Sequence, residues 1–81
     1  MRVDICPRED YPTQAALLEA FAQIGAYSED DFEIEVPLPT GLLRFRVGSE
    51  FLTVFVDSWN VDLEGSDELV KQVLAALAHA S

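Results

Sequence analysis

The chain has 81 residues, which is enough for one small domain (residues 1–81) and too few for two. Hydrophobic residues make up 49% and charged residues 25%, a composition typical of folded globular domains and not of disordered chains. The formal net charge of −10 argues against direct binding to nucleic acid or to an anionic membrane, because both depend on lysine and arginine side chains.

The cysteine content and the absence of long apolar runs indicate a cytoplasmic location. Cys6 is the only cysteine, so no intrachain disulfide can form, as is usual in a reducing compartment. Residues 1–7 lack the apolar stretch of a secretory signal, and no run of about 18 apolar residues is present to form a membrane helix. One lysine against four arginines is typical of a GC-rich bacterial gene.

The chain begins with a predicted short strand. Residues 2–6 alternate in polarity, with Val3 and Ile5 on one side and Cys6 among the polar residues on the other. Pro7 ends this strand because proline cannot donate a backbone hydrogen bond to a neighbouring strand. The pattern does not say whether the strand lies at the edge of a sheet or beside its neighbour in the sequence.

A helix is predicted to begin at Pro12 or Thr13, where proline is tolerated because the first helical N–H groups have no partner. It runs to about Ile24, and Gly25 supplies the left-handed residue that commonly follows a helix. Apolar residues recur at helical spacing and predict the buried stripe: Leu17, Leu18, Phe21 and Ile24.

The middle of the chain predicts an antiparallel meander. Phe32–Val36 alternates strictly, a turn over residues 37–41 follows, and Leu42–Val47 and Glu50–Val56 are the next strands. The two residues between them, Gly48 and Ser49, are typical of a tight hairpin turn. Ser58–Leu63 alternates again and is either a further strand or an extended connection, with these residues on its apolar side: Trp59, Val61 and Leu63.

The last helix has the clearest signals. Ser66 is a favourable N-cap, and Asp67 and Glu68 lie at the positive end of the helix dipole. Its apolar arc, with Leu74 near the middle, contains Leu69, Val70, Val73, Leu74 and Leu77. The predicted fold is therefore α+β, a two-layer sandwich in which two amphipathic helices cover one face of a meander of three to five strands, in the order β-α-β-β-β-(β)-α.

Placing all core residues on one face predicts the register of the first hairpin. Val36 then pairs with Leu43, and Ile34 with Phe45. On the opposite face of the sheet this register creates two ion pairs: Glu35 with Arg44, and Glu33 with Arg46.

The Gly48-Ser49 turn predicts the register of the second hairpin independently. Val47 pairs with Glu50, which directs Phe45 and Leu52 to the core. The opposite face then carries three cross-strand pairs: Arg46 with Phe51, Arg44 with Thr53, and Leu42 with Phe55. The two registers agree on which residues face the core.

This open face is the predicted partner-binding surface. Both helices are needed on the other side of the sheet, so Phe51 and Phe55 are expected to be uncovered beside two arginines, and aromatic residues and arginine are enriched at interfaces. The predicted site residues are Leu42, Arg44, Arg46, Phe51, Phe55, Glu33 and Glu35. The alternative is a solvated sheet face stabilised by cross-strand pairs.

No residue pattern indicates catalysis, a cofactor or a metal. A nucleophilic pair would need Cys6 and His79 in one pocket, yet His79 is expected on the exposed side of the last helix. Asn60–Gly65 begins like a calcium loop, but its twelfth position is Lys71 where a glutamate is required. We therefore expect no enzyme activity, no cofactor and no metal.

These observations predict a non-enzymatic, acidic protein-binding module of the inhibitor, immunity or adaptor type, with a basic protein as one kind of partner. One alternative is a structural homo-oligomer, such as a homodimer, without a separate ligand. The other is a nucleic-acid mimic, since Glu33 and Glu35 on one strand would be about 6.8 Å apart, close to two axial rises along one DNA strand.

Overall fold

The computed structural model describes residues 1–29 and 34–80, which form one five-stranded antiparallel sheet and two helices. The strands are β1 (Arg2–Pro7), β2 (Tyr27–Ser28), β3 (Gly41–Val47), β4 (Glu50–Val56) and β5 (Asn60–Glu64), and the helices are α1 (Tyr11–Gln23) and α2 (Asp67–Ala80). The chain order β-α-β-β-β-β-α confirms the predicted α+β fold. The spatial order β1-β5-β4-β3-β2 places β1 at one edge of the sheet, beside β5.

Both helices pack on the same face of the sheet and enclose one core. Phe21 of α1 lies against Phe45 of β3, with ring centroids 4.5 Å apart. The same core contains buried residues from α2 and from the three central strands: Leu69, Val70, Val73, Leu43, Leu52, Val54, Val56, Val61 and Leu63. Within residues 1–29 and 34–80, no helix lies on the other face of the sheet, as the sequence predicts.

The register of the second hairpin is confirmed. Val47 lies opposite Glu50, and Gly48 in the turn between them has a φ of 60°, which glycine adopts without strain. The remaining pairs follow the prediction, including Arg46 with Phe51 and Leu42 with Phe55.

The register of the first hairpin is wrong. The neighbour of β3 is β2, with Tyr27 opposite Arg46 and Ser28 opposite Phe45. Residues 34–36 form no strand, so the predicted pairs Val36–Leu43, Ile34–Phe45 and Glu35–Arg44 do not occur, while Phe32 and Glu33 lie outside the described residues.

The neighbour of β3 differs from the prediction because the chain reaches the edge of β3 soon after α1 ends. Gly25 has a φ of 78° and reverses the chain, so Tyr27 reaches the edge of β3 two residues later. The alternating segment is used differently: Ile34 packs against the core and Leu38 is fully buried. Residues 34–38 therefore contribute apolar contacts instead of a strand.

Helix α1 begins at Tyr11, one or two residues before the predicted Pro12 or Thr13, with Asp10 as its N-cap. The Thr13 N–H donates to Asp10 Oδ1 at 3.2 Å, which satisfies one of the free N–H groups of the first turn. Leu17 and Phe21 are buried as predicted, whereas Leu18 and Ile24 are only partly buried.

Helix α1 also buries a glutamine, which the pattern of apolar residues does not predict. Gln14 is 0% exposed. Its Nε2 donates to the Arg8 carbonyl at 2.8 Å, and its Oε1 accepts the Leu38 N–H at 2.9 Å. The side chain therefore connects α1 to the end of β1 and to the segment before β3, and both of its polar groups are satisfied.

A bulge in β1 corrects the predicted position of Cys6. Asp4 lies opposite Asp62, and the register then shifts so that Cys6 lies opposite Val61. The extra residue, Ile5, reverses the alternation after it, so Cys6 is buried in the core instead of lying on the polar side.

Two further apolar residues are exposed where the sequence predicts burial. Trp59 precedes β5, lies in the turn after β4, and is 81% exposed. Leu74 is 39% exposed because the buried arc of α2 is centred on Val73, from which Leu74 lies about 100° around the helix axis. The predicted N-cap is supported: Ser66 Oγ accepts the Leu69 N–H at 3.2 Å.

Candidate partner-binding surface

The open sheet face has two halves of different character. The half formed by β1, β5 and the adjacent side of β4 holds a polar network, which we call the Arg2–Asn60 network: Arg2, Asp4, Phe55, Asn60 and Asp62. The half formed by β2, β3 and the rest of β4 holds an exposed surface, which we call the β3–β4 patch: Tyr27, Leu42, Arg44, Arg46 and Phe51.

Phe55 is covered by Arg2. The guanidinium carbon of Arg2 lies 4.0 Å from the centroid of the Phe55 ring, a cation–π contact, and Phe55 is only partly exposed. Arg2 is held there by Asp62, whose Oδ2 accepts from Nη2 at 3.0 Å and from Nε at 3.2 Å. The expectation that nothing covers Phe55 is therefore wrong.

Asn60 relieves a repulsion between two carboxylates. Asp4 and Asp62 lie directly opposite each other on β1 and β5, which is unfavourable for like charges. The Asn60 Nδ2 donates to Asp4 Oδ1 at 2.6 Å and to Asp62 Oδ1 at 2.7 Å. With Arg2 on the other carboxylate oxygen of Asp62, both aspartates have a hydrogen-bond donor, and two carboxylates against one guanidinium leave this half of the face negative.

The β3–β4 patch is open. Leu42 is 67% exposed at one end of the patch, and Phe51 is 44% exposed at the other end, where Tyr27 is also exposed across Arg46. The guanidinium carbons of Arg44 and Arg46 lie over the Phe51 ring at 5.5 and 5.6 Å from its centroid, two cation–π contacts that leave part of the ring exposed. The patch thus combines aliphatic, aromatic and guanidinium surface on a paired, two-stranded support.

Polar contacts fix the side chain of Arg46 and the backbone of Arg44. Arg46 Nε donates to the Gly48 carbonyl at 3.1 Å, and its Nη1 lies 3.9 Å from Glu29 Oε1. The Arg44 carbonyl accepts the Glu29 N–H at 3.0 Å. Glu29 therefore takes the position beside β3 that the sequence assigned to Glu33 and Glu35.

Of the predicted site residues, Leu42, Arg44, Arg46 and Phe51 lie together in the β3–β4 patch. Phe55 lies directly opposite Leu42 but is covered by Arg2, Glu35 is exposed outside any strand, and Glu33 is outside the described residues. Sequence reasoning missed Tyr27 and the role of Arg2, because both depend on which strands become neighbours in the sheet.

The Cys6 thiol is unsuited to nucleophilic chemistry. Burial raises its pKa to about 11, and the negative charges of Asp10 and then Asp4 act in the same direction. At neutral pH the sulfur is therefore the weakly nucleophilic thiol. Its one described polar contact is to the Asp10 carbonyl, at 3.9 Å.

Among residues 1–29 and 34–80, no cavity or cleft is found, and no three histidine, cysteine or carboxylate side chains are grouped as metal ligands. Neither described helix has the length and apolar character needed to cross a membrane. Comparison with protein-family models, with curated proteins and with solved structures finds no match to this chain.

Proposed function

We propose that the protein is a non-enzymatic, acidic protein-binding module of the inhibitor, immunity or adaptor type, and that its partner contacts the β3–β4 patch. The observation that carries this proposal is the exposure of two apolar side chains beside arginines on the helix-free face of the sheet: Phe51 lies between Arg44 and Arg46, and Leu42 lies two residues before Arg44 on β3. Clustered apolar, aromatic and arginine surface is characteristic of the residues that dominate binding at interfaces.

The pairing of β3 with β4 fixes the backbone of the patch, which favours binding with little loss of conformational freedom. Seven residue pairs join β3 to β4, so Leu42 and Phe51 keep a fixed separation before a partner arrives. Arg2 and Asn60 are already bonded within the Arg2–Asn60 network beside the patch, so we confine the proposed contact to the β3–β4 patch.

The charge of the chain outside the patch indicates the character of the partner. A net charge of −10 attracts basic proteins and repels acidic ones over a distance, which raises the rate of encounter with a basic partner. We place this activity in a reducing compartment such as the cytoplasm, where the Cys6 thiol stays reduced.

The test is affinity capture with matched variants. The double variant Leu42→Ser with Phe51→Ser removes the apolar part of the patch, and Leu74→Ser removes an exposed apolar side chain from the helical side of the molecule. We expect one identified protein to be retained equally by the native chain and by Leu74→Ser, and to be lost with the double variant. Equal retention by the double variant, with native circular dichroism, contradicts the proposal.

The same exposed patch also fits a second copy of the chain, which is the structural alternative. Sedimentation of the native chain at about 100 μM distinguishes the two, because a weak homodimer is populated at that concentration. A dimer that the double variant dissociates supports self-association, and a native monomer contradicts it. We do not pursue the nucleic-acid mimic, because its predicted spacing of Glu33 and Glu35 requires both residues on one strand and Glu35 lies outside any strand.

A further inference from the structure

Trp59 lies on a turn whose backbone is held on both sides. Asp57 Oδ1 accepts the N–H groups of Trp59 and Asn60, each at 2.7 Å, and the Asp57 N–H donates to the Asn60 carbonyl at 3.1 Å. The Trp59 carbonyl accepts the Arg8 N–H at 3.0 Å, which ties the turn to the end of β1. The backbone position of Trp59 is therefore fixed before any partner binds.

The indole itself is presented to solvent. Its exposed fraction of 81% is the largest among the exposed large hydrophobic residues, and it makes no aromatic or cation–π contact within residues 1–29 and 34–80. A rigid backbone with a free tryptophan is a favourable arrangement for binding, because the side chain offers a large contact area and has few rotatable bonds to restrict.

The charge around the turn is negative. Asp57 is fully exposed, and the two backbone N–H groups that it accepts keep its pKa below the ordinary value. Asp4 and Asp62 are joined to the turn through Asn60. Two cations lie near the turn: Arg2 bridges Asp62 and Phe55, whereas Arg8 is partly buried and its buried Nη1 has no hydrogen-bond partner among the described residues.

We propose that Trp59 is a second partner-binding element, which binds an arginine side chain of a basic protein surface. Tryptophan is the best aromatic acceptor for a cation, and the planar guanidinium stacks on the indole while its N–H groups reach carboxylates at the rim. Asp57 and Asp4, whose Oδ1 atoms are hydrogen-bonded to the turn through the Trp59 and Asn60 N–H groups and Asn60 Nδ2, are the carboxylates that we assign to that rim. This inference does not depend on the β3–β4 patch, where the arginines would repel the same ligand.

The first test uses the native chain, since Trp59 is its only tryptophan and its fluorescence reports this site alone. We expect caesium ions to quench the emission more strongly than iodide ions, each measured relative to free N-acetyltryptophanamide, because the negative potential concentrates cations at the indole. Equal relative quenching by the two ions overturns the proposed charge complementarity.

The second test measures binding of a fluorescein-labelled peptide of alternating arginine and glycine by fluorescence anisotropy. We expect Trp59→Ala to weaken binding by roughly 5- to 20-fold, in keeping with a partly desolvated cation–π contact. The control Tyr11→Ala removes another exposed aromatic residue at the start of α1 and is expected to leave the affinity within about twofold.

Two outcomes of this measurement overturn the proposal. Equal affinity of the native chain and Trp59→Ala would show that the peptide follows net charge alone. Loss of peptide binding in the Leu42→Ser and Phe51→Ser double variant would place the contact on the β3–β4 patch. Retention of peptide binding by that double variant, together with its loss of the captured protein, separates this inference from the proposed function.

Discussion

A single glutamine determines how three segments meet. Gln14 is fully buried and bridges the Arg8 carbonyl and the Leu38 N–H, and it stands at a helical position that an apolar residue would fill in most proteins. Hydrophobic periodicity cannot identify such a residue, because its partners come from segments that the pattern does not place beside α1. The polar contacts explain why residues 34–38 fold onto the core.

Replacing Gln14 with an apolar residue should lower the free energy of unfolding. Gln14→Leu leaves the Leu38 N–H and the Arg8 carbonyl without their partner, and each unsatisfied buried group costs about 1–3 kcal/mol. We expect the free energy of unfolding, measured in urea, to fall by about 2–4 kcal/mol. Gln23→Leu, the same substitution at an exposed position of α1, is the control and should change it by less than about 0.5 kcal/mol. Similar losses in both variants would contradict the role of Gln14.

Two leucines of α2 should respond differently to the same substitution. Leu69 is buried in the core, whereas Leu74 is 39% exposed at the margin of the buried arc. We expect Leu69→Ala to lower the free energy of unfolding by about 2–5 kcal/mol and Leu74→Ala by less than about 1 kcal/mol. Thermal denaturation followed by circular dichroism measures both. A larger loss of stability for Leu74→Ala than for Leu69→Ala would contradict the exposed position of Leu74 and place it at the centre of the buried arc.

The buried Cys6 thiol should make the free energy of unfolding decrease at alkaline pH. Burial raises the Cys6 pKa from 9.0 to about 11, so the folded chain keeps this proton at pH values where the unfolded chain loses it. The stabilisation is complete below about pH 9 and is lost as the pH rises to about 11. We expect Cys6→Ala to show a smaller loss of unfolding free energy over this range than the native chain.

Thiol labelling provides the control for that prediction. At about pH 8 the native protein should react with a disulfide reagent far more slowly than the urea-unfolded chain, because little thiolate forms at the buried site. Equal labelling rates in the two states would show that Cys6 is accessible.

At the scale of the elements, local signals predict local structure. The Gly48-Ser49 turn sets the register of β3 and β4, because a two-residue loop leaves one way to pair the strands. The start of α2 follows from Ser66, whose side chain caps the first turn. The register therefore places these residues on the open face of β3 and β4, as expected: Leu42, Arg44, Arg46, Phe51 and Phe55.

The elements that sequence reasoning misplaces depend on distant parts of the chain. The bulge that turns Cys6 into the core is defined against β5, and Arg2 reaches Phe55 because β1 lies beside β5. Phe32–Val36 has a strand-like pattern, yet β2 occupies the edge of β3 that it would need. Alternation identifies which residues favour an apolar side, and it does not identify the neighbouring strand.

The whole molecule carries much more negative charge than its ion pairs compensate. The net charge is −10, and the ion pairs between side chains among residues 1–29 and 34–80 are Arg2–Asp62 and Arg46–Glu29. Repulsion among the remaining carboxylates destabilises the compact state. We expect the melting temperature to rise between about 0.02 M and about 0.3 M NaCl, as the screening length shortens. An unchanged or lower melting temperature at the higher concentration contradicts this.

The place of β1 beside β5 determines the order in which the chain folds. The hairpins β3–β4 and β4–β5 close short loops, whereas Arg2 and Asp62 are 60 residues apart, so entropy favours the docking of β1 as a late event. We expect Val3→Ala to accelerate unfolding with little effect on the folding rate, and Val54→Ala to slow folding, as stopped-flow measurements will show. If both substitutions slow folding equally, β1 docks early. Until β1 docks, Arg2 cannot cover Phe55, so a chain in which β3, β4 and β5 have paired without β1 leaves this aromatic side chain open to aggregation.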